Sequence, residues 1–341
     1  MTRYIFIGAG AIGSALAGLL ARQDHEVLAV ARGDHATAMI DKGLRLRCPD
    51  ADFTVPLPTV TGPDNVKLTV DDVLVLTTKT QQAQAAIEQW ADVPVYGREG
   101  DVAGNAAGLL PVFTALNGVA SEEIALRAFD RVFAVSVWCP VVMIDPGEVI
   151  VRGEPPRGIF HVGRYGVSPG PSGDAELLER VRGDWGDAGC RIVPTGDIMG
   201  WKYRKLLTNL GNVLQALLGD TAGADGIAGA ADAEARQTLA AADISYPDDA
   251  ETRAGWQDYV SKPVPGEPGL LGGSSWQSLI RGTGSIETDY LNGEIALIAR
   301  RIGRAAPVNA GLTALARKAA REGLRPGSIS VPELRAQLGL A

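Results

Sequence analysis

The chain has 341 residues, with 32 lysines and arginines against 40 acidic residues, and its formal net charge is −8. Hydrophobic residues make up 46% and charged residues 21%, proportions typical of a soluble globular protein with enough chain for two domains. The acidic balance argues against a nucleic-acid partner, because few basic residues are left to neutralise a run of phosphates. The acidic net charge still allows a local basic pocket that binds one small anion.

Three cysteines, Cys48, Cys139 and Cys190, lie far apart and form no CxxC pair. This usage argues against a disulfide framework or a metal site and favours buried thiols in a reducing, cytoplasmic setting. No signal peptide is predicted before the first strand, and no run of 18 apolar residues predicts a membrane span.

The first part of the chain alternates strand and helix patterns. Residues 4–8 (YIFIG) predict a buried strand, 11–21 a helix and 25–31 a second strand, which together make one βαβ unit. Further strands are predicted at 73–77, 110–116, 132–142 and 147–152, with a helix at 81–90 and a turn at 145–147. This alternation predicts a parallel α/β sheet.

Beyond residue 195 the apolar spacing becomes helical. Helices are predicted at 199–218, 230–242, 253–261, 286–302 and 310–322, with a Pro/Gly-rich loop at 262–273 and an ambiguous stretch at 219–233. The expected fold class is α/β. It has an N-terminal Rossmann-type dinucleotide-binding domain (residues 1–196) and an all-helical C-terminal domain (residues 197–341).

A G-x-G-x-x-G pattern stands between the first strand and the first helix. Its first glycine permits a tight turn, its second lets the backbone approach a diphosphate, and its third allows close helix–strand packing. In this context the pattern strongly predicts a dinucleotide site. The expected binding residues are Gly8, Ala9, Gly10, Ala11, Ile12 and Gly13.

The end of the second strand sets the choice of cofactor. Enzymes that use NAD usually place an acid there, whereas this chain has Ala31 followed by Arg32. A guanidinium can clamp a 2′-phosphate, so NADPH is favoured over NADH. Asp34, two residues later, is an alternative partner for a ribose.

None of the three histidines, His25, His35 and His161, lies in the helical part, and no G-x-S-x-G elbow occurs. A histidine acid from the substrate domain is therefore not expected. Residues 201–219 instead place Lys205, Asn209 and Asn212 on one face of a predicted helix, which suggests a polar pocket. Lys202 falls off this face and is expected to be solvated.

Three other clusters complete the candidates. Residues 274–293 (SSWQSLIRGTGSIETDYLNG) contain Ser275 and place Glu287 in the opening turns of a helix begun near residue 285. Residues 77–82 (TTKTQQ) follow a predicted strand, at the sheet edge where α/β proteins bind ligands. Asn117-Gly118 ends the next strand at that edge, with a simple turn as its alternative explanation.

Together these clusters resemble the ketopantoate reductases (2-dehydropantoate 2-reductases). The matching features follow the family's order over most of the chain: the glycine turn with Arg32, Lys79 with Gln82, Asn117-Gly118, Lys205 with Asn209, and Ser275 twelve residues before Glu287-x-Asp-Tyr-x-Asn-Gly. One departure is that Asn209 and Asn212 are three residues apart, where the family often has four.

The resemblance implies roles residue by residue. Lys205 matches the catalytic lysine that protonates or polarises the C2 carbonyl oxygen, and Glu287 matches the acid that bonds the substrate hydroxyl. The implied substrate-binding residues are Asn209, Asn212, Ser275 and Asn117, and those implied at the cofactor are Lys79, Gln82 and Asn117.

The implied activity is NADPH-dependent reduction of a 2-keto acid, expected to be 2-dehydropantoate (ketopantoate) to pantoate in pantothenate and coenzyme A biosynthesis. Two alternatives stay open: reduction of another 2-keto acid by the same fold, and a non-catalytic NADP-binding regulator. The expected partner is one small substrate, without nucleic acid or membrane, and a homodimer is one assembly compatible with the sequence.

Overall fold

The structure, a computed structural model, describes residues 2–166, 173–267, 272–282 and 284–340. Its strands are β1 Arg3–Ile7, β2 Glu26–Val30, β3 Leu44–Cys48, β4 Ala51–Val55, β5 Thr59–Val60, β6 Leu68–Thr69, β7 Asp72–Leu76, β8 Pro94–Tyr96, β9 Val102–Asn105, β10 Val112–Thr114, β11 Val132–Trp138, β12 Val141–Val142, β13 Glu148–Val151, β14 Ile159–Tyr165 and β15 Arg191–Pro194. Its helices are α1 Ala11–Ala21, α2 Gly33–Lys42, α3 Thr80–Ala91, α4 Ala106–Leu109, α5 Ser121–Leu126, α6 Asp174–Asp187, α7 Ile198–Asn209, α8 Asn212–Leu218, α9 Asp225–Ala241, α10 Asp249–Ala254, α11 Ser274–Ile280, α12 Asn292–Arg301, α13 Pro307–Arg321 and α14 Val331–Gln337, with a 3-10 turn at Glu287–Tyr290.

The chain divides into two compact units. Unit 1 comprises Met1–Leu116, Ala120–Trp201 and Ala250–Glu267, and unit 2 comprises Asn117–Val119, Lys202–Asp249 and Pro268–Ala341. The domain boundary expected near residue 196 stays a prediction. In this division the chain passes from unit 1 to unit 2 at Lys202, and Ala250–Glu267 returns to unit 1. No helix in the described ranges is long and apolar enough to cross a membrane.

Unit 1 is built on an eight-stranded sheet in the order β15-β14-β11-β10-β7-β1-β2-β5. β1 pairs in parallel with β2 on one side and with β7 on the other. β1 (RYIFI) and β7 (DVLVL) are apolar and buried after their first residues, Arg3 and Asp72, which form an ion pair. Such apolar runs are expected for strands covered on both faces. The predicted parallel α/β sheet is confirmed, and β14 adds an antiparallel strand against β11.

The strand order reverses beside β1. Chain order moves outward from β1 to β2 on one side and from β7 to β10 and β11 on the other. The carboxyl ends of β1, β2 and β7 therefore lie next to one another at the switch point of a doubly wound sheet, which is where such folds bind ligands.

A second sheet in unit 1, in the order β12-β13-β3-β4, was not predicted. β11 ends at Trp138, so the single strand predicted over 132–142 is divided, and β12 joins this second sheet. The predicted turn at residues 145–147 is present, with Gly147 at φ +79°.

The prediction of a helix over 253–261 is wrong. Helix α10 ends at Ala254, and the chain then runs along residues 152–154, bridging Ser261 to Gly153. Its backbone donates from Lys262 N to Arg152 O at 2.9 Å. These backbone hydrogen bonds to a neighbouring segment replace those that a helix would make within itself. The predicted loop over 262–273 lies partly outside the described residues.

Unit 2 is helical in its described ranges, as predicted. Its core holds Val213 and Leu217 of α8, Ile227 of α9, Leu312 of α13 and Leu334 of α14. Helix α14 was not predicted, although Ser330 and Glu333 form a capping box at its start. The predicted helix over 199–218 is divided into α7 and α8, and the ambiguous stretch 219–233 contains the start of α9.

Candidate dinucleotide and substrate sites

Two glycines of the turn are required by close packing in unit 1. Gly8 has φ +98°, and a Cβ built on it would lie 2.8 Å from Thr78 N. A Cβ on Gly13 would lie 2.4 Å from Thr77 Oγ1 and 2.7 Å from Gly8 O. Both positions therefore exclude a side chain, as expected for a turn between a strand and a closely packed helix.

Gly10 is different, because a Cβ built there would meet only Gly8 O, at 4.0 Å. It is the N-cap of α1, and no side chain caps the 11-residue helix. The space over Gly10 is therefore open, and the first N–H groups of α1 point their positive dipole toward it. Gly10 N donates to Gly8 O at 2.6 Å, so the arrangement fits a dinucleotide diphosphate bound through the backbone N–H groups of residues 11–13.

Hydrogen bonds fix the turn from two neighbouring strands. Gly8 N and Ala9 N both donate to Val30 O, at 3.2 and 2.8 Å. Thr77 Oγ1 donates to Gly8 O at 2.9 Å. The turn is thereby held at the ends of both β2 and β7, where the sheet switches direction.

The predicted cofactor side chains follow these same strands. Arg32 is exposed at the N-cap of α2, and its Nη2 donates to Gln89 Oε1 at 3.0 Å. Lys79 is half-buried at the N-cap of α3, with Gln82 exposed in the first turn of that helix. The fold thus brings Arg32, Lys79 and the glycine turn to one edge of the sheet.

In unit 2, the predicted substrate residues meet around Asn117. Asn209 Nδ2, at the end of α7, donates to Asn117 Oδ1 at 3.1 Å. Gly118 has φ +76°, and a Cβ on it would lie 2.6 Å from Tyr290 O. Asn117 is therefore held between the end of α7 and the 3-10 turn that begins with Glu287, so Gly118 has more than the role of a simple turn.

The interpretation of Asn209 and Asn212 as parts of one continuous helix needs correction. α7 ends at Asn209 and α8 begins at Asn212. Their amides approach only at 3.5 Å, from Asn212 Nδ2 to Asn209 Oδ1. Asn212 instead lies beside Gly273, whose added Cβ would be 3.1 Å from Asn212 Oδ1.

Ser275 and Glu287 are both buried. Ser275 lies in the first turn of α11 and is 1% exposed, and its Oγ has no hydrogen-bond partner among the residues described. A buried hydroxyl without a protein partner suits an oxygen-bearing ligand. Glu287 is 4% exposed and opens the 3-10 turn, so it precedes α12 instead of lying within one helix begun near residue 285.

The lysines of α7 differ from each other. Lys205 is half-buried one turn before Asn209, on the predicted face. Lys202 is only 2% exposed, so the expectation that it is solvated is wrong. Periodicity places a residue on one side of a helix, but it does not reveal whether that side is covered.

A buried polar network in unit 2 was also missed. Asn292 Nδ2 donates to Asn309 Oδ1 at 3.0 Å and to Leu210 O at 3.3 Å. Asn309 Nδ2 in turn donates to Glu234 Oε1 at 2.8 Å. This network ties α12, α13 and α9 to the break after Asn209. No local sequence pattern predicts this network, because its hydrogen-bonded residues are 17 to 82 positions apart in the chain.

His161 is 2% exposed and stacks on Trp201, with the ring centroids 3.6 Å apart. Burial lowers the pKa of His161 to about 4, because the charged form is poorly solvated there. It is therefore neutral at physiological pH, which agrees with a chemistry that does not draw its acid from this histidine.

The doubly wound sheet, the glycine turn at its switch point and the helical second unit define a Rossmann-type dinucleotide-binding protein. Models of the two halves of one family match the chain. "Ketopantoate reductase PanE/ApbA" matches residues 4–166, and its C-terminal model matches residues 197–320. The chain belongs to the ketopantoate reductase family.

Curated relatives carry a consistent name. A 2-dehydropantoate 2-reductase of Pyrococcus horikoshii is 29% identical over 203 residues, covering 60% of this chain and 59% of that protein. One of Archaeoglobus fulgidus is 27% identical over 215 residues, covering 61% and 60%. The chain thus spans about three fifths of the length of these relatives.

Solved structures share the fold over nearly the whole chain. A PanE/ApbA family ketopantoate reductase from Ralstonia eutropha has a TM-score of 0.73 at 24% identity, covering 94% of this chain and 99% of that one. A ternary structure of D-mandelate dehydrogenase with NADH and anilino(oxo)acetate has a TM-score of 0.74 at 22% identity, with the same coverage.

Proposed function

We propose that this protein reduces a 2-keto acid with NADPH, and that its substrate is 2-dehydropantoate, which becomes pantoate. The observation that carries the proposal is the uncapped start of α1 beneath the open space at Gly10, in a chain of the ketopantoate reductase family. The relatives named 2-dehydropantoate 2-reductase support the choice of substrate.

In unit 1, backbone N–H groups at the start of α1 would bind the diphosphate, and Arg32 would bind the 2′-phosphate. A guanidinium offers paired donors to phosphate oxygens, which an acid at this position would repel. Lys79 and Gln82 would contact the cofactor near the end of β7. When bound, NADPH supplies the hydride that reduces the keto carbon.

In unit 2, Lys205 would act as the general acid. As the keto carbon gains the hydride, the carbonyl π electrons move to oxygen, and Lys205 donates a proton to this oxygen to give the hydroxyl. A cation positioned there stabilises the transition state more than the ground state. The lysine then regains a proton from water, so that each turnover consumes one NADPH and one proton.

The other polar residues of unit 2 would orient the substrate. Glu287 would accept a hydrogen bond from a substrate hydroxyl, and Ser275 Oγ, which is buried without a partner among the described residues, would donate to the carboxylate. Asn209 and Asn117, whose side chains are bonded to each other, would contact the substrate. Asn212 would assist from the start of α8.

The test is NADPH oxidation by the purified full chain with a panel of 2-keto acids: 2-dehydropantoate, 2-ketoisovalerate and phenylglyoxylate. We expect the highest kcat/KM with 2-dehydropantoate. The similarity to D-mandelate dehydrogenase makes an aromatic 2-keto acid the second candidate, and a higher kcat/KM with phenylglyoxylate would favour it. Dinucleotide binding without turnover of any 2-keto acid would favour a non-catalytic regulator.

A further inference from the structure

A chain of three hydrogen bonds reaches the glycine turn from outside its own βαβ unit. Gly147 N donates to His35 Nδ1 at 2.9 Å, and His35 Nε2 lies 3.0 Å from Ser14 Oγ. Ser14 Oγ donates to Ala9 O at 3.0 Å. We call this set of four groups the His35 chain.

The donors and acceptors of the His35 chain have one consistent direction. A backbone N–H can only donate, so Nδ1 of His35 must be the acceptor and its Nε2 carries the proton. Nε2–H therefore donates to Ser14 Oγ, which leaves the hydroxyl proton of Ser14 for the carbonyl of Ala9. The bond to Gly147 thus fixes the tautomer that the turn requires.

The end of this chain controls the peptide between Ala9 and Gly10. Ser14 is 0% exposed, so a carbonyl bonded to its hydroxyl points into the protein. The peptide is planar, and its carbonyl and N–H turn as one unit. The N–H of the same peptide donates from Gly10 N to Gly8 O at 2.6 Å, so the peptide is held at both its carbonyl and its N–H. Loss of the Ser14 bond would release the carbonyl side and let Ala9 O tilt toward the start of α1, where its partial negative charge would repel a phosphate.

We propose that His35 is a positioning residue for dinucleotide binding, acting through Ser14 to hold the Ala9 carbonyl away from the diphosphate. The proposal rests on the proposed function, since it assumes that the glycine turn binds this ligand. It adds a role for a histidine that no sequence motif selects. Gly147 supplies the outer anchor, at a turn where its own added Cβ would meet Ala38 Cβ at 2.9 Å.

The proposal predicts a loss that does not depend on the 2′-phosphate. His35→Ala and Ser14→Ala should each raise the Kd of both NADPH and NADH by roughly five- to tenfold, the effect of losing one constraining hydrogen bond. The ratio of the two Kd values should stay at the wild-type value. Because both side chains act on one carbonyl, the double variant should bind no worse than the weaker single variant.

Thr37→Ala is the matched control, since Thr37 is an exposed residue of α2 whose hydroxyl donates to Gly33 O of the same helix. Hydrogen exchange of the peptide containing residues 8–14 provides a readout without ligand. We expect exchange there to be faster in His35→Ala and Ser14→Ala, and unchanged in Thr37→Ala.

The outcomes separate the two proposals. Unchanged exchange and unchanged Kd values in His35→Ala would overturn the role of His35 while leaving dinucleotide binding intact. Additive losses in the double variant would also overturn it, because the two residues would then act independently. A wild-type chain that binds neither NADPH nor NADH would refute the proposed function, and the exchange rates would still decide whether His35 holds the turn.

Discussion

Substitutions in the glycine turn should separate the stability of the fold from the binding of the dinucleotide. Gly10→Ala adds a methyl group where the nearest atom is Gly8 O at 4.0 Å, on a backbone with φ −86° that alanine readily adopts. The free energy of unfolding should therefore change by no more than about 0.5 kcal/mol. The methyl would instead occupy the space proposed for the diphosphate.

Gly13→Ala is the matched comparison within the same turn. Its methyl would lie 2.4 Å from Thr77 Oγ1 and 2.7 Å from Gly8 O, two atoms already bonded to each other at 2.9 Å. Thr77 cannot turn away without losing that bond. Overpacking of this kind costs about 1 to 3 kcal/mol, so this variant should lose stability where Gly10→Ala does not.

The assays are thermal unfolding for stability and quenching of intrinsic fluorescence for NADPH binding. Displacing the diphosphate in Gly10→Ala should break at least one hydrogen bond to a charged group, worth about 1.5 to 3 kcal/mol, so its Kd should rise roughly 10- to 100-fold. Wild-type affinity in Gly10→Ala would refute the placement of the diphosphate. Equal destabilisation by both variants would refute the packing argument.

Three further predictions concern separate features of the two units. Arg32→Ala should lower kcat/KM for NADPH roughly 10- to 100-fold while leaving that for NADH unchanged, because only the 2′-phosphate contact is lost; an unchanged ratio of the two values would contradict it. Burial lowers the pKa of His161 to about 4, so the unfolded chain binds a proton at this residue below pH 6.5, whereas the folded chain binds it only near pH 4. The folded state therefore loses stability as the pH falls between these values. His161→Phe should therefore lose roughly 2 to 3 kcal/mol less stability than the wild type between pH 7 and pH 4.5 in urea unfolding, and equal losses would show that His161 is not responsible. Asn292→Ala should raise the KM for the keto acid without changing the Kd of NADPH, since it frees Leu210 O beside Asn209, and a KM equal to that of the wild type would show that the break needs no such support.

The sequence was most informative where local signals are strong. The helix predicted over 11–21 is α1 as observed, because a glycine turn, an apolar strand and a helical repeat all indicate the same βαβ unit. The second sheet was not predicted, although β3 (LRLRC) alternates apolar and charged residues and buries every second one. β12 is only two residues long, which is too short for a pattern to show. Their partners are set by distant pairing, as in Glu148 with Arg45.

The candidate site shows the same limit. Individual residues were selected by type and spacing, but the break after Asn209 was hidden, because the leucines of α7 and α8 continue one helical spacing through it. The burial of Lys202 depends on what covers α7, and the His35 chain depends on residues up to 112 positions apart. Such contacts arise only when the chain is folded.

The most direct test of the proposed reaction is the effect of Lys205→Ala on reduction of 2-dehydropantoate by NADPH. Loss of the general acid should lower kcat at least about 100-fold, within the range that such catalysis supplies, while the Kd of NADPH stays at the wild-type value. Thr208→Ala, an exposed change on the same helix, should retain wild-type kcat. A Lys205→Ala variant with near-normal kcat would contradict the assignment of Lys205 as the proton donor.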